Sequence, residues 1–252
     1  MSIMRFVMID EFDHRNFDGT CSIENPKKDC LAYVTDVNML GCLEGCNIRL
    51  GVIIPYGQAI PDSFGDFAYL NIEFYKSINP FQDFLIAHNA INFSKSPPEN
   101  EVGDCCDIHK MASIYNEGMR YIKYKGSVIS MKHMGNVVIG NNVSIGAHSS
   151  VARALLDSTV IGNDVKIGCG CQIGHNVRIG DRTVILDGAV ISGSVKIGRD
   201  CYIGVNASIA RSVITPKTWI GIGSVVVRDI IEPGLYYGSP AKFVRDWNGE
   251  WP

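Results

Sequence analysis

Nine isoleucines, Ile161, Ile167, Ile173, Ile179, Ile185, Ile191, Ile197, Ile203 and Ile209, recur at every sixth position, and glycine follows six of them. A period of six suits neither an amphipathic helix nor a simple alternating strand. It predicts a triangular coil in which each hexapeptide supplies one short flat strand and one corner. The aliphatic residue fills the interior, and Gly, Asn and Asp at the corners tolerate the backbone angles of the turn. Three hexapeptides close one turn, so residues eighteen apart stack at the ordinary strand spacing of about 4.8 Å. The expected fold is mainly β: a left-handed parallel β-helix of hexapeptide repeats, with a small N-terminal α/β domain and a short C-terminal capping tail.

The register breaks on both sides of the long run. Ile139, Ile145 and Val151 are in phase with one another, but Val151 to Ile161 is ten residues, so an excursion is expected within Ala152 to Val160. Ile214, Ile220 and Val226 run one residue out of phase, which predicts a lost residue near Ser212. Ile108 and Ile114 are six apart and open an imperfect first coil. Before about residue 105 the six-fold pattern is absent and aromatic residues cluster (Phe64, Phe67, Tyr69, Phe74, Tyr75). Strands are expected at Met4 to Ile9 and Ile48 to Ile54, and a helix from Pro80 to Asn92. Residues 1–104 are thus read as the α/β domain, with Ser94 to Asp104 as a linker, 105–232 as the β-helix and 233–252 as the tail. Solenoid ends need covering because open strand edges invite pairing. Flat apolar faces favour packing against identical copies, and a homotrimer is the expected assembly.

A net charge of -3 over 252 residues, with no run of Lys and Arg, gives no field to attract nucleic acid. No apolar stretch reaches membrane-spanning length and the start lacks a complete leader pattern, so a soluble, cytoplasmic protein is expected. The nine cysteines show no CxxC pair and no zinc spacing, which predicts reduced thiols and no metal site. Cys171 and Cys201 each sit two residues before a repeat isoleucine, where packing explains a small apolar residue.

The stretch from Gly135 to Ile179, GNVVIGNNVSIGAHSSVARALLDSTVIGNDVKIGCGCQIGHNVRI, resembles the hexapeptide N-acyltransferases, most closely the UDP-3-O-acylglucosamine N-acyltransferases of lipid A synthesis. The IGHNVRIG motif is its specific part. The resemblance implies that His175 is the general base and that the backbone N–H of Gly193 is the oxyanion donor. The eighteen-residue spacing independently places Gly193 beneath His175. Imidazole suits the role because its unperturbed pKa lies nearest neutrality. His148, in the GAHSS corner, is the rival base or a substrate contact, and Asp157 and Asp181 are the sequence candidates for orienting His175 or contacting substrate. His14, His88, His109 and His133 lie in no motif and are read as structural or surface residues.

Two departures bear on the acyl donor. The family's second histidine, used in donor handling, falls at Arg211, and the Asp of its D-R-G-A stretch is Ala152. The ending, WIGIGSVVVRDIIEPGLYYGSPAK, resembles that of acetyl-CoA-dependent hexapeptide acetyltransferases, with Pro233, Gly234, Gly238, Pro240, Ala241 and Lys242 in the motif. A short acyl group from acetyl-CoA or another acyl-CoA is therefore expected as co-substrate, with no tightly bound cofactor. Arg211, Lys217, Arg228 and Lys242 are the candidate phosphate-binding cations. The acceptor implied is the amine of a nucleotide-linked amino sugar, with residues 1–104 binding nucleotide or sugar and a place in cell-surface polysaccharide synthesis. The alternatives are the carrier-protein-dependent lipid A enzyme and a catalytically silent scaffold. A zinc lyase of the carbonic anhydrase type is disfavoured because its paired histidines five residues apart do not occur.

Overall fold

The computed structural model describes residues 6–8, 19–21, 24, 26, 30–34, 40, 50–55, 58, 72–77, 79–92, 96–124, 126–247 and 249–250. Expectations placed on His14, Cys42, Cys46, Phe64, Phe67, Tyr69 and Trp251 lie outside these. The chain divides into two compact units, 1–96 with 120–132, and 97–119 with 133–252.

The second unit is a left-handed parallel β-helix. Its strands stack into three parallel sheets, here called A, B and C in the order in which the chain visits them. In sheet A, Ile139, Ile161, Ile179, Ile197 and Ile214 pair directly with one another. Sheet B stacks Ile108, Ile145, Ile167, Ile185, Ile203 and Ile220. Sheet C stacks Ile114, Val151, Ile173, Ile191, Ile209 and Val226. All of these except the outermost Ile108 are buried and form one continuous core with Val165, Cys171, Val177, Ala189, Val195, Cys201 and Ala207. Each fully buried Ile contributes roughly 1.5–3 kcal/mol of transfer free energy. Aliphatic side chains and the two thiols fill most of the shaft, and buried hydroxyls such as Thr159 and Thr183, each two residues before a core isoleucine, donate to the backbone carbonyls of Ala152 and Gly198. Burial pushes the Cys201 thiol up to about 11, so both buried cysteines act as packing groups.

The corners adopt left-handed backbone at Asn142, Asp164, Asn176, Asp200 and Asn206, and also at His148, Arg182 and Lys217. The C-to-A corner is the irregular one. Its first passage holds the hairpin Tyr121–Tyr124 with Ser127–Ser130, and its second holds the excursion expected from the sequence. That excursion is shorter than the spacing suggested, since Ser158–Ile161 already pairs with Asn136–Ile139. The lost residue also falls at this corner: Ile197 pairs with Ile214, seventeen residues on.

Two boundaries differ from the sequence reading. Glu101–Val102, within the expected linker, is a strand paired with Val138–Ile139, so the coil begins earlier. The outermost coil faces solvent on one side and carries no isoleucine there, which hid it. At the other end, Gly234–Tyr237 continues sheet B beside Thr218–Ile220, and only Lys242–Arg245 turns antiparallel to end the stack. Trp247 then packs edge-on against Trp219 at 5.8 Å between ring centroids.

The first unit contains a five-stranded, wholly parallel sheet in the order Phe6–Met8, Ile72–Ser77, Leu50–Pro55, Cys30–Tyr33, Gly19–Thr20. Leu50 to Ile54 are buried without alternation, as a central parallel strand requires. The helix runs from Pro80 to Asn92 as expected, and Phe84 meets Tyr33 at 4.7 Å. The hairpin 120–132 belongs to this unit: Gln82 and Asn89 donate to the carbonyls of Lys123 and Ser130. His88 is fully buried. Its Nε2 donates to the Lys132 carbonyl at 2.6 Å, which leaves Nδ1 to accept from the Thr20 hydroxyl at 2.5 Å.

Burial holds the His88 imidazole below its usual titration range. The unfolded chain then binds the proton first, so stability is lost as pH falls below about 6.5, the ordinary imidazole value. Denaturant melts at stepped pH should show this decline, and His88→Gln should flatten it.

Candidate active site

A ladder of side-chain acceptors runs up the A-to-B corner. Asp104 N–H donates to Asn141 Oδ1, Asn141 N–H to Asn163 Oδ1, and Asn163 N–H to Asp181 Oδ1, at 2.8–2.9 Å. At the B-to-C corner, Cys169 N–H donates to Asp187 Oδ1 at 2.6 Å. In each of these four bonds a carboxylate or amide from the coil below satisfies an N–H of the coil above. Beneath His175, at the C-to-A corner, the next coil presents Gly193, which has no side chain to offer.

Two things follow from that glycine. A Cβ there would stand 2.6 Å from His175 Nε2, so the imidazole rests on the bare Gly193 backbone. The coils remain in register, with Ser194 N–H donating to the His175 carbonyl at 2.8 Å. The Gly193 N–H donates to no acceptor among the described residues. A proton acceptor and a vacant backbone donor therefore stand together on a half-buried corner.

The tautomer of His175 is set by its neighbour. Asn176 Oδ1 accepts from Leu155 N–H at 2.9 Å, and Asn176 Nδ2 donates to the Leu156 carbonyl at 2.9 Å. These two bonds fix which end of the amide faces the ring, because the flipped amide would oppose donor to donor and acceptor to acceptor. His175 Nδ1 lies 3.0 Å from Asn176 Oδ1 and must carry the proton. The lone pair of the neutral ring is therefore on Nε2, above Gly193. Asn176 N–H is held in turn by the buried Thr159 hydroxyl at 2.9 Å. The excursion before Thr159 thus serves as the anchor of the ring's neighbour.

The other sequence candidates are dispersed. His148 is exposed at the B-to-C corner, a different edge of the prism from His175. Asp181 lies on the A-to-B corner with its carboxylate engaged by Asn163. Asp157 shares the C-to-A corner one coil before His175, with left-handed backbone and its carbonyl accepting from Asn136 N–H. Arg211 and Arg228 are exposed on the C-to-A corner beyond Gly193; Lys217 is exposed at the A-to-B corner and Lys242 on the terminal antiparallel strand. Sheet A bears an open groove of about 540 Å³ whose lining includes Arg178, Lys196, Val213 and Ile231. Asn176 escaped the sequence reading as an orienting group because acids were sought, although it stands inside the quoted H-N-V motif. His133 carried no sequence signal, yet its ring lies 5.1 Å from that of His175.

Residues 158–193 match the bacterial transferase hexapeptide family (six repeats). Over 88 residues the chain is 42% identical to the UDP-3-O-acylglucosamine N-acyltransferase of Coxiella burnetii (strain Dugway 5J108-111), a match covering 34% of this chain and 26% of that protein. It is 36% identical over 85 residues to the enzyme of the same name from Pseudoalteromonas translucida (strain TAC 125), covering 34% and 25%. The matches therefore span about a quarter of these relatives' length. Among solved structures, a UDP-N-acetylglucosamine acyltransferase superposes with a TM-score of 0.50 at 14% identity over 89% of this chain and 68% of the other, a likeness of fold alone.

Asn176→Ala leaves Leu155 N–H and Leu156 C=O without their partner and frees the His175 ring. It should cost about 2–3 kcal/mol in a denaturant titration. Asn176→Asp keeps the acceptor for Leu155 and His175 and should lose less.

Proposed function

We propose that this hexapeptide-repeat chain is an N-acyltransferase that moves a short acyl group, acetyl from acetyl-CoA, to the amine of a nucleotide-linked amino sugar. The observation that carries the reading is the stack of His175 Nε2 over the Gly193 backbone, with Asn176 holding the proton on Nδ1. In the proposed reaction the amine attacks the thioester carbonyl while Nε2 takes its proton, and the oxyanion of the tetrahedral intermediate accepts from the Gly193 N–H. Collapse breaks the C–S bond, and the imidazolium returns the proton to the departing thiolate. Neither group needs to move, which is the advantage of building the pair into stacked rungs.

The short acyl-CoA donor is supported by the Pro233 to Lys242 ending and by the open groove beside Arg178 and Lys196, cations suited to phosphates. Arg211 and Arg228, on the same corner as His175, are the further cations proposed for the donor, and His148 and Asp157 remain proposed substrate contacts. The parallel sheet of the first unit is the proposed nucleotide or sugar site. We assign the assembly as a homotrimer, in keeping with exposed apolar residues such as Val190, Val213 and Ile222 on the prism. No helix among the described residues is long and apolar enough to cross a membrane.

A second reading, carrier-protein-dependent acylation of a UDP-3-O-acylglucosamine, is favoured by the identity to the Coxiella burnetii and Pseudoalteromonas translucida proteins. Thiol release from acetyl-CoA against a panel of nucleotide amino sugars separates the two: turnover only with an acyl carrier protein selects the second. His175→Ala should keep its fold and oligomeric state yet lower acyl transfer by about a hundredfold or more. Full activity in that variant would remove His175 from the mechanism.

A further inference from the structure

The hexapeptide rhythm makes its largest departure between Ile114 and Val137, and this departure begins and ends beside His175. The chain leaves the coil after Gly118 and returns at His133, with Met131 N–H donating to the Arg120 carbonyl to close the intervening hairpin. Gly118 and His133 are both buried. The His133 ring meets that of His175 edge to face, with centroids 5.1 Å apart and planes at 63°. Gly118 makes room for this contact, since a Cβ there would stand 2.5 Å from His133 Nε2 and 2.8 Å from His175 Cβ. His133 is fastened by its backbone, its N–H donating to Glu117 Oε1 at 2.9 Å.

The His175 ring needs such a neighbour. The second torsion of histidine is broad, so its rotamer alone does not fix the ring plane. The bond from Nδ1 to Asn176 restrains one atom, and a hydrogen bond at one atom does not by itself set the plane of a ring. Gly193 bounds the ring from the coil below, but a glycine backbone grips nothing laterally. The edge-to-face contact with His133 adds a lateral constraint on the ring plane, and such aromatic contacts are directional.

We infer that His133 is a positioning residue that holds the His175 imidazole over Gly193, and that Gly118 lacks a side chain so that the two rings can meet. The inference rests on His175 being the base of the proposed acyl transfer. His133 touches no reacting atom in this scheme. It acts through the orientation of Nε2, so its removal lowers turnover and leaves substrate affinity in place.

The test compares His133→Ala, His133→Phe and Gly118→Ala in the full chain, using acetyl-CoA and whichever nucleotide amino sugar the unaltered protein turns over. His133→Ala should lower kcat about tenfold with KM within about twofold, since small misplacements of a reacting group are costly. His133→Phe, which keeps a ring edge, should recover part of the loss. Gly118→Ala should lower kcat by crowding the same contact, which keeps the idea testable if His133→Ala does not fold. In parallel, ¹⁵N-histidine NMR at mildly alkaline pH, with the His175 signals assigned by difference from His175→Ala, should show the Nδ1-protonated form in the unaltered protein. His133→Ala should shift both His175 nitrogen resonances. An alanine variant with unchanged kcat and unchanged resonances overturns the inference, as does a phenylalanine variant no better than alanine. If no thioester and amine pair is turned over at all, the functional reading fails instead, and the nitrogen resonances still decide whether His133 holds His175.

Discussion

Parallel stacking of successive coils is the constraint on which everything else in the second unit depends. Backbone hydrogen bonds tie each rung to its neighbours, and the aliphatic column forbids a rung from slipping, because a one-residue slip turns every isoleucine outward. Ile161, Ile179 and Ile197 lie in direct register, as do Ile167, Ile185 and Ile203. With the interior so fixed, the height of every corner residue along the axis is fixed too. A group on one coil meets a group on the next without any loop having to fold into place.

The corners show how such a frame is turned from structure to chemistry. Where a corner carries Asn141, Asn163, Asp181 or Asp187, the side chain satisfies an N–H of the coil above, as Asp181 does for Asn163. Where it carries Gly193 that service is missing, and the vacated space is taken by the ring of His175. A single loss of side chain leaves both a seat for the imidazole and a backbone N–H with no acceptor among the described residues. Asn176, Thr159 and His133 then restrict the ring, and all come from irregular passages of the chain or stand beside them. The regular coil supplies rigidity, and the departures from it gather at one corner.

The burial of Cys171 and Cys201 within the shaft and the full burial of His88 within the first unit follow a common rule. A titratable group in an apolar setting is tolerated in its neutral form, which is why burial raises the thiols and lowers the imidazole. These residues stabilise by packing or neutral hydrogen bonds. His175 differs in being half-buried at a corner, with one nitrogen committed to Asn176 and the other facing the Gly193 backbone.

The period of six determined the coil, its core list and the pairing of residues eighteen apart, because strand spacing and chain length per turn leave no other closed arrangement. It therefore located Gly193 beneath His175 from the sequence alone. It missed the strand at Glu101–Val102, where a valine six residues before Ile108 stands in the repeat position in place of isoleucine, and it marked the breaks in register without saying that they share one corner. Only the tertiary structure decided that Asp181 stands on another edge, that Asn176 orients the imidazole, and that His133 returns from a hairpin to meet it. Those contacts join residues whose separations obey no period. They are set by where an irregular chain re-enters a regular stack, and that is a property of packing in space.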